Sequence, residues 1–137
     1  TGDKATQLSE LHDDNYAKQH PEFVLQDNSG RLILNPGEPQ VRAYIKNIVS
    51  EIMSKYDLDG IHFDDYFYSY NGISNLQDEN TYNRTKEPNE TLDDWRRGNV
   101  DTLISELSSI INNWNQNQDK NVKFGISPFG KVILRIR

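Results

Sequence analysis

The stretch that most limits what this chain can fold into is Asp59-Gly60-Ile61-His62-Phe63-Asp64-Asp65-Tyr66-Phe67-Tyr68. It is a short apolar run that closes on two adjacent carboxylates and a cluster of aromatic rings. Strand formers dominate it, and Gly60 punctuates its start. Because side chains alternate along a strand, Ile61 and Phe63 share one face while His62 and Asp64 share the other. A strand with one apolar and one polar face separates two environments. In an α/β barrel the apolar face packs on the outer helices, and the other looks into the barrel. A polar residue at the C-terminal end of such a strand stands at the mouth, where barrel enzymes place their chemistry. Asp64 is therefore expected at a lumen mouth, with Asp65 and Tyr66 opening the loop above it.

The chain has 137 residues, enough for one domain with a real core. A complete barrel of eight βα units needs about 250. The net charge of -6 argues against nucleic acid and anionic lipid as main partners and leaves neutral sugars open. There is no cysteine, hence no disulfide framework and no thiol chemistry. No apolar run is long enough to span a membrane, and no signal peptide opens the chain. Thr1 is not a natural start, so a longer parent is expected.

In chain order, residues 1 to 20 are polar and read as a loop or short helix. His20 to Leu25 reads as an extended segment, since a residue before proline avoids the helical region. The turn Asp27-Asn28-Ser29-Gly30 joins it to a second short strand, Arg31 to Leu34, as a β-hairpin. A first helix is predicted from about Pro39 to Lys55, with Val41, Tyr44, Ile45, Ile48, Val49, Ile52, Met53 and Tyr56 on a buried face. Residues 69 to 90 read as a long polar loop on the carboxylate end of the central strand, and loops of that length are functional or disordered. Thr91 and Asp94 form a capping box for a second helix from about Leu92 to Asn115. Its stripe is Val100, Leu103, Ile104, Leu107, Ile110, Ile111 and Trp114. A second barrel-type strand, Val122 to Ser127, follows. The two strands are expected to be parallel and adjacent. Ile61, Phe63, Phe124 and Ile126 should then face the helices, with His62, Asp64, Gly125 and Ser127 opposite.

Three stretches carry a resemblance to a bacterial family, glycosyl hydrolase-like family ten. They are Leu34-Asn35-Pro36-Gly37 with Val41-Arg42 and Tyr44, then Asp59 to Tyr68, then Asp94-Trp95-Arg96-Arg97 through Phe124-Gly125-Ile126-Ser127-Pro128-Phe129-Gly130. The resemblance implies a TIM (β/α)8 barrel. Residues 1–137 would then be a fragment of one such domain, running from the approach to strand four through strand five. It also implies a glycoside hydrolase of the bacterial cell envelope or a secreted one, with cell-wall glycan as the substrate class. Against that pattern the first three and last three strands are missing. Residues 131–137 are atypical, since the family continues after Gly130 with an apolar residue, tryptophan and arginine. A half-barrel leaves open sheet edges that invite self-association, and the segment from Val132 to Ile136 is apolar enough to add a strand.

Glycoside hydrolysis commonly uses two carboxyl groups, about 5–5.5 Å apart in retaining enzymes and about 6.5–9.5 Å apart in inverting ones. Neighbouring residues on a strand face opposite ways, so Asp64 and Asp65 are not that pair. Asp64 is the candidate catalytic carboxylate and Asp65 the second candidate, though an Asp pair can also simply cap a strand end. His62, one layer below Asp64, can orient the carboxylate, meet a sugar hydroxyl or sit as a satisfied interior histidine. Tyr66, Phe67, Tyr68 and Tyr70 can stack on sugar rings or pack ordinarily, with one or two of them expected to face ligand. Trp95, Arg96 and Arg97 open the second helix, where Arg96 or Arg97 can clamp Asp64 or Asp65 or be a surface pair. Asn35 is a weaker ligand-binding candidate, and Arg42 reads as structural. Ser127 lies beside Asp64 without a nucleophile elbow around it. His12, His20 and His62 have no metal-ligand spacing, so neither metal nor cofactor is expected. A non-catalytic glycan-binding module is the rival to the enzyme: it needs the aromatic platform but not Asp64.

Overall fold

A computed structural model describes residues 7–64, 67–74 and 77–127. Asp65, Tyr66 and the atypical tail lie outside them. The chain is mixed helix and strand, in the order α1 (Tyr16–Gln19), β1 (Val24–Gln26), β2 (Leu32–Leu34), α2 (Pro39–Lys55), β3 (Gly60–Asp64), α3 (Glu79–Thr85), α4 (Leu92–Gln118) and β4 (Lys123–Ser127). The strands form two separate two-stranded sheets. β1 and β2 are an antiparallel hairpin, with Leu25 opposite Ile33. β3 and β4 are parallel, with Ile61 opposite Phe124, His62 opposite Gly125 and Asp64 opposite Ser127.

Local chemistry explains most boundaries. Pro39 starts α2, where its missing N–H is no loss. Thr91 caps α4 by accepting from the Asp94 amide at 3.2 Å. Asp94 does not complete a reciprocal box to the backbone; its carboxylate takes the Thr91 hydroxyl at 2.6 Å. At the far end, Asp119 closes the helix in the left-handed region at φ 49°, a conformation that aspartate tolerates. Asn115 then ties α4 to the next strand. Its amide group donates to the Val122 carbonyl and accepts from the Val122 N–H, both at 2.9 Å.

The core lies where α2 and α4 cross the apolar face of the β3–β4 sheet. Val49, Met53, Leu103, Leu107, Ile111 and Val122 are buried there, with Ile45, Ile61, Phe63, Phe67 and Phe124 packed against them. Removing a fully buried side chain of this size to alanine typically costs about 2–5 kcal/mol. The alternation expected of the strands is observed in β3, which alternates between exposed and half-buried positions; in β4 Phe124, Gly125 and Ile126 are all half-buried, between exposed Lys123 and Ser127.

Three local expectations need correction. Pro21 does not lead an extended segment; Pro21–Phe23 is a 3-10 turn, and the strand starts only at Val24. Proline favours the first position of such a turn as much as it favours extension before it. The polar stretch 69 to 90 contains a helix, α3, whose one buried residue is Thr81; a helix that buries so little leaves no apolar periodicity to read. Finally, the apolar face of α2 is narrower than its spacing implies. Val41, Val49 and Met53 are buried, whereas Ile48 and Ile52 are 37% and Tyr56 64% exposed. The second stripe lies beside the first and is only partly covered.

Candidate active site

The site begins with strand alternation. Because Ile61 and Phe63 turn toward the helices, His62 and Asp64 stand on the opposite, open face, and Ser127 joins them from β4. The Ser127 hydroxyl is 2.9 Å from His62 Nε2. Asp64 Oδ1 lies 3.6 Å from that same nitrogen, too long for a hydrogen bond. Gly125 leaves room for the imidazole, since a Cβ there would meet His62 Nδ1 at 3.0 Å. A proton on Nε2 suits both neighbours, donating to the hydroxyl and facing the carboxylate. The side chains of His62 and Asp64 are 55% and 73% exposed, so water screens the pair and its contribution to stability is small. Among the described residues of β3 and β4, Asp64 is the one carboxylate. An accessible carboxylate at the C-terminal end of a strand can act as nucleophile, base or acid.

The other candidates divide. Asn35 is 2% exposed. Its carboxamide accepts from the Gly37 N–H at 2.9 Å and donates to Thr81 at 3.3 Å. Trp95 is 3% exposed, with its indole N–H on Thr85 at 3.0 Å and its ring edge-on to Tyr82. Both sit in the interior, apart from the His62–Asp64 face. Arg96 does not clamp Asp64. It holds Asp78 through two bonds of 2.8 Å, and Asp78 is fully buried. That carboxylate raises the Arg96 pKa further above its ordinary value. Arg97 pairs with Asp94 one turn back on α4. Arg42 is structural in its contacts, donating to the Pro36 carbonyl at 2.9 Å and to Asn99 at 3.0 Å.

Of the aromatic rings after β3, Phe67 stacks near Phe63 at 6.4 Å and belongs to the core. Tyr68 is half-buried, with the Arg96 guanidinium 5.9 Å from its ring centre. Burial, and then the Asp78 charge, push its hydroxyl well above the usual tyrosine range. It lines a cavity of about 380 Å³ together with Asp93, Arg96, Arg97, Val100 and Asp101. Among the described rings of this segment, Tyr70 is exposed, at 54%. Asp65 and Tyr66 lie outside the described residues.

Reading the chain linearly missed three buried carboxylates: Asp27, Glu38 and Asp78. Glu38, just before α2, takes the Thr81 hydroxyl and two bonds from Arg84 at 2.8 and 2.9 Å. Asp27 organises the hairpin turn, and its hydrogen bonds, chiefly from Ser29 and then Ser69, hold its carboxyl well below the usual range. The signal for Asp27 was present, because an Asp at the start of a turn commonly bonds amides two residues on. Asp78 and Glu38 gave none, since their partners are 18 and 46 residues away. Gln77 closes the arrangement by mimicking a strand, pairing with the Gln26 N–H and carbonyl at 2.7 Å each.

Against known proteins, residues 2–135 match the family described as Glycosyl hydrolase-like 10. The chain is 36% identical over 127 residues to glycosyl hydrolase YngK of Bacillus subtilis (strain 168), covering 91% of this chain and 24% of that protein. It is 38% identical over 112 residues to glycosyl hydrolase DigH of Escherichia coli (strain K12), covering 82% of this chain and 24% of that protein. The chain therefore spans about a quarter of the length of these relatives.

Proposed function

The chain belongs to the glycosyl hydrolase-like 10 family, and from that membership we propose that it is part of a TIM-barrel glycoside hydrolase acting on bacterial cell-envelope glycan, peptidoglycan-like in chemistry. Asp64 is the catalytic carboxylate in this reading, and Asp65 supports it. The single observation that carries it is Asp64 itself: an accessible carboxylate at the C-terminal end of a parallel strand, beside His62 and Ser127. The parallel pair β3–β4, joined through α4 and packed on helices at one face, supports the barrel reading, and barrel enzymes carry their chemistry at that strand end.

In the proposed mechanism Asp64 acts as nucleophile, base or acid at the anomeric carbon or glycosidic oxygen, and a second carboxyl group completes the pair. His62 and Ser127 present polar groups to sugar hydroxyls, and Tyr66, Tyr68 and Tyr70 offer ring faces. Asn35, Trp95 and Arg96 hold the interior of the chain instead, through the contacts described above. No cofactor takes part. The protein works in the envelope or outside the cell, where its polysaccharide is; no helix among the described residues is long and apolar enough to cross a membrane. The paired strands β3 and β4 have no further strand beside them among the described residues. Association of this chain with itself through those edges is part of the proposal, checked by light scattering.

One observation favours a second reading. Asp64 has no carboxylate companion on β3 or β4, which fits a glycan-binding module without catalysis. Digestion of purified cell-wall glycan by the full-length protein, with products read by mass spectrometry, separates the two. The hydrolase reading expects cleavage by wild type and none by Asp64→Asn. Binding without cleavage by wild type establishes the module instead. Cleavage by Asp64→Asn at the wild-type rate removes Asp64 from the chemistry.

A further inference from the structure

We propose that Asp27 is a positioning residue for glycan binding: by latching the loop after β3 onto the hairpin turn, it sets where the Tyr70 ring stands. The inference rests on the glycan-binding part of the function proposed above.

The Asp27 side chain is fully buried, and its two oxygens serve different parts of the chain. Oδ1 serves the hairpin's own turn. It accepts from the Ser29 N–H at 2.8 Å, the Ser29 hydroxyl at 2.6 Å and the Arg31 N–H at 3.0 Å. Oδ2 reaches across about forty residues of sequence. It accepts from the Ser69 hydroxyl at 2.6 Å and from the Asn71 amide at 3.4 Å, besides Arg31 Nε at 3.1 Å. Ser69 and Asn71 are the two neighbours of Tyr70. Both of them therefore hang from one carboxylate oxygen, and Tyr70, 54% exposed, lies between them in sequence.

The backbone doubles the latch. The Asn28 N–H donates to the Gly72 carbonyl at 3.0 Å, and the Asn28 amide donates to the Asn71 carbonyl at 2.8 Å. Asp27 and Ile73 form an antiparallel bridge. On the other side of Tyr70, Phe67 is anchored in the core. The loop is thus fixed at both ends, and the middle tie to Asp27 holds the two residues that flank the ring. A charged, buried acceptor makes that tie stronger than a hydrogen bond between neutral groups. A ring held in place before ligand arrives loses less conformational freedom on binding, which favours affinity.

The test uses the full-length protein, with Kd for purified cell-wall glycan strands and, where cleavage is seen, KM and kcat. Ser69→Ala removes the shortest tie between the loop and Asp27, the 2.6 Å bond to Oδ2, and leaves the hairpin's own bonds to Asp27 intact. We expect it to weaken glycan binding about fivefold, raising KM with kcat nearly unchanged. Ser69→Thr, which keeps the hydroxyl, should restore binding. Tyr70→Ala should weaken binding at least as much. The double variant Ser69→Ala/Tyr70→Ala should be no weaker than Tyr70→Ala alone, because the first residue acts through the second. A merely structural role would give additive losses, and additive losses overturn the inference. So does a Ser69→Ala protein that binds like wild type. Wild type that binds without cutting, with the same pattern in Kd, defeats the hydrolase reading and supports this one.

Discussion

Asp64 and Asp78 bracket the long connection that follows the central strand, and they are used in opposite ways. Asp64 stands on the open face of β3, 73% exposed, with an imidazole 3.6 Å away. Asp78 is fully buried and held through both its oxygens by Arg96. The same contrast separates two regions. The hairpin, the loop after β3 and α3 are joined by buried carboxylates that each have a designated cation or hydroxyl: Asp27, Glu38 and Asp78. The β3–β4 face presents its polar groups to solvent. A buried charge is tolerated only when fully paired, so the first set is occupied with holding the chain together. An exposed carboxylate costs nothing to leave accessible, and that availability is what a reaction needs.

Four outcomes break or sharpen this contrast. The largest is at Asp64. Replacement by asparagine in the full-length protein should lower glycan cleavage by about 10²–10⁴-fold or more. It should move folding stability by no more than about 0.5 kcal/mol. A large stability loss would put Asp64 with the buried set. Asp78→Ala should do the reverse. It leaves the Arg96 guanidinium, 17% exposed, without its partner, and should cost about 3–5 kcal/mol in a urea unfolding curve. An unmoved midpoint would show that Arg96 finds another anion or water.

Gly37→Ala is expected to cost less, about 1–3 kcal/mol. A Cβ there would lie 2.4 Å from the Trp95 ring. The ring cannot yield easily, being buried with its indole N–H on Thr85. Retained stability would mean the Asn35–Gly37 turn can shift as a unit. The smallest effect is acid sensitivity from Asp27. Its folded-state pKa lies below the unfolded value, first through Ser29 and then Ser69. Its stabilising contribution is therefore full above the ordinary aspartate value of about 3.9. It is lost as pH falls below that value toward the folded pKa, because the unfolded chain takes up the proton first. Asp27→Asn should flatten the acid limb of the stability–pH curve, read by circular dichroism. An unchanged limb would show that Asp27 does not titrate with folding.

Much of the frame was legible along the chain. The spacing of Val41, Ile45, Val49 and Met53 gives α2, and that of Leu103, Leu107 and Ile111 gives α4. The alternation in Gly60–Asp64 and Lys123–Ser127 placed His62, Asp64 and Ser127 on one face. Helix α3 was not legible, because with Thr81 alone buried it carries no apolar stripe. Trp95 opens the second helix in the sequence, and nothing local tells that Gly37, distant in sequence, makes a buried slot for it.

What the sequence by itself determined is therefore local: which segments are helix or strand, and which side of each is apolar. Periods of 3.6 and 2 are properties of neighbouring residues, and they need no knowledge of the rest of the fold. Tertiary structure alone decided the partners. Arg96 is near Asp64 in no sense that counting residues can reveal or exclude, and it chose Asp78 because folding brings the start of α4 against the start of α3. Ile48, Ile52 and Tyr56 likewise have the spacing of a buried face, but spacing says only that a face is apolar. Whether it is covered depends on which element arrives beside it, and on α2 it is Val49 and Met53, with Ile45 beside them, that meet α4 and the sheet.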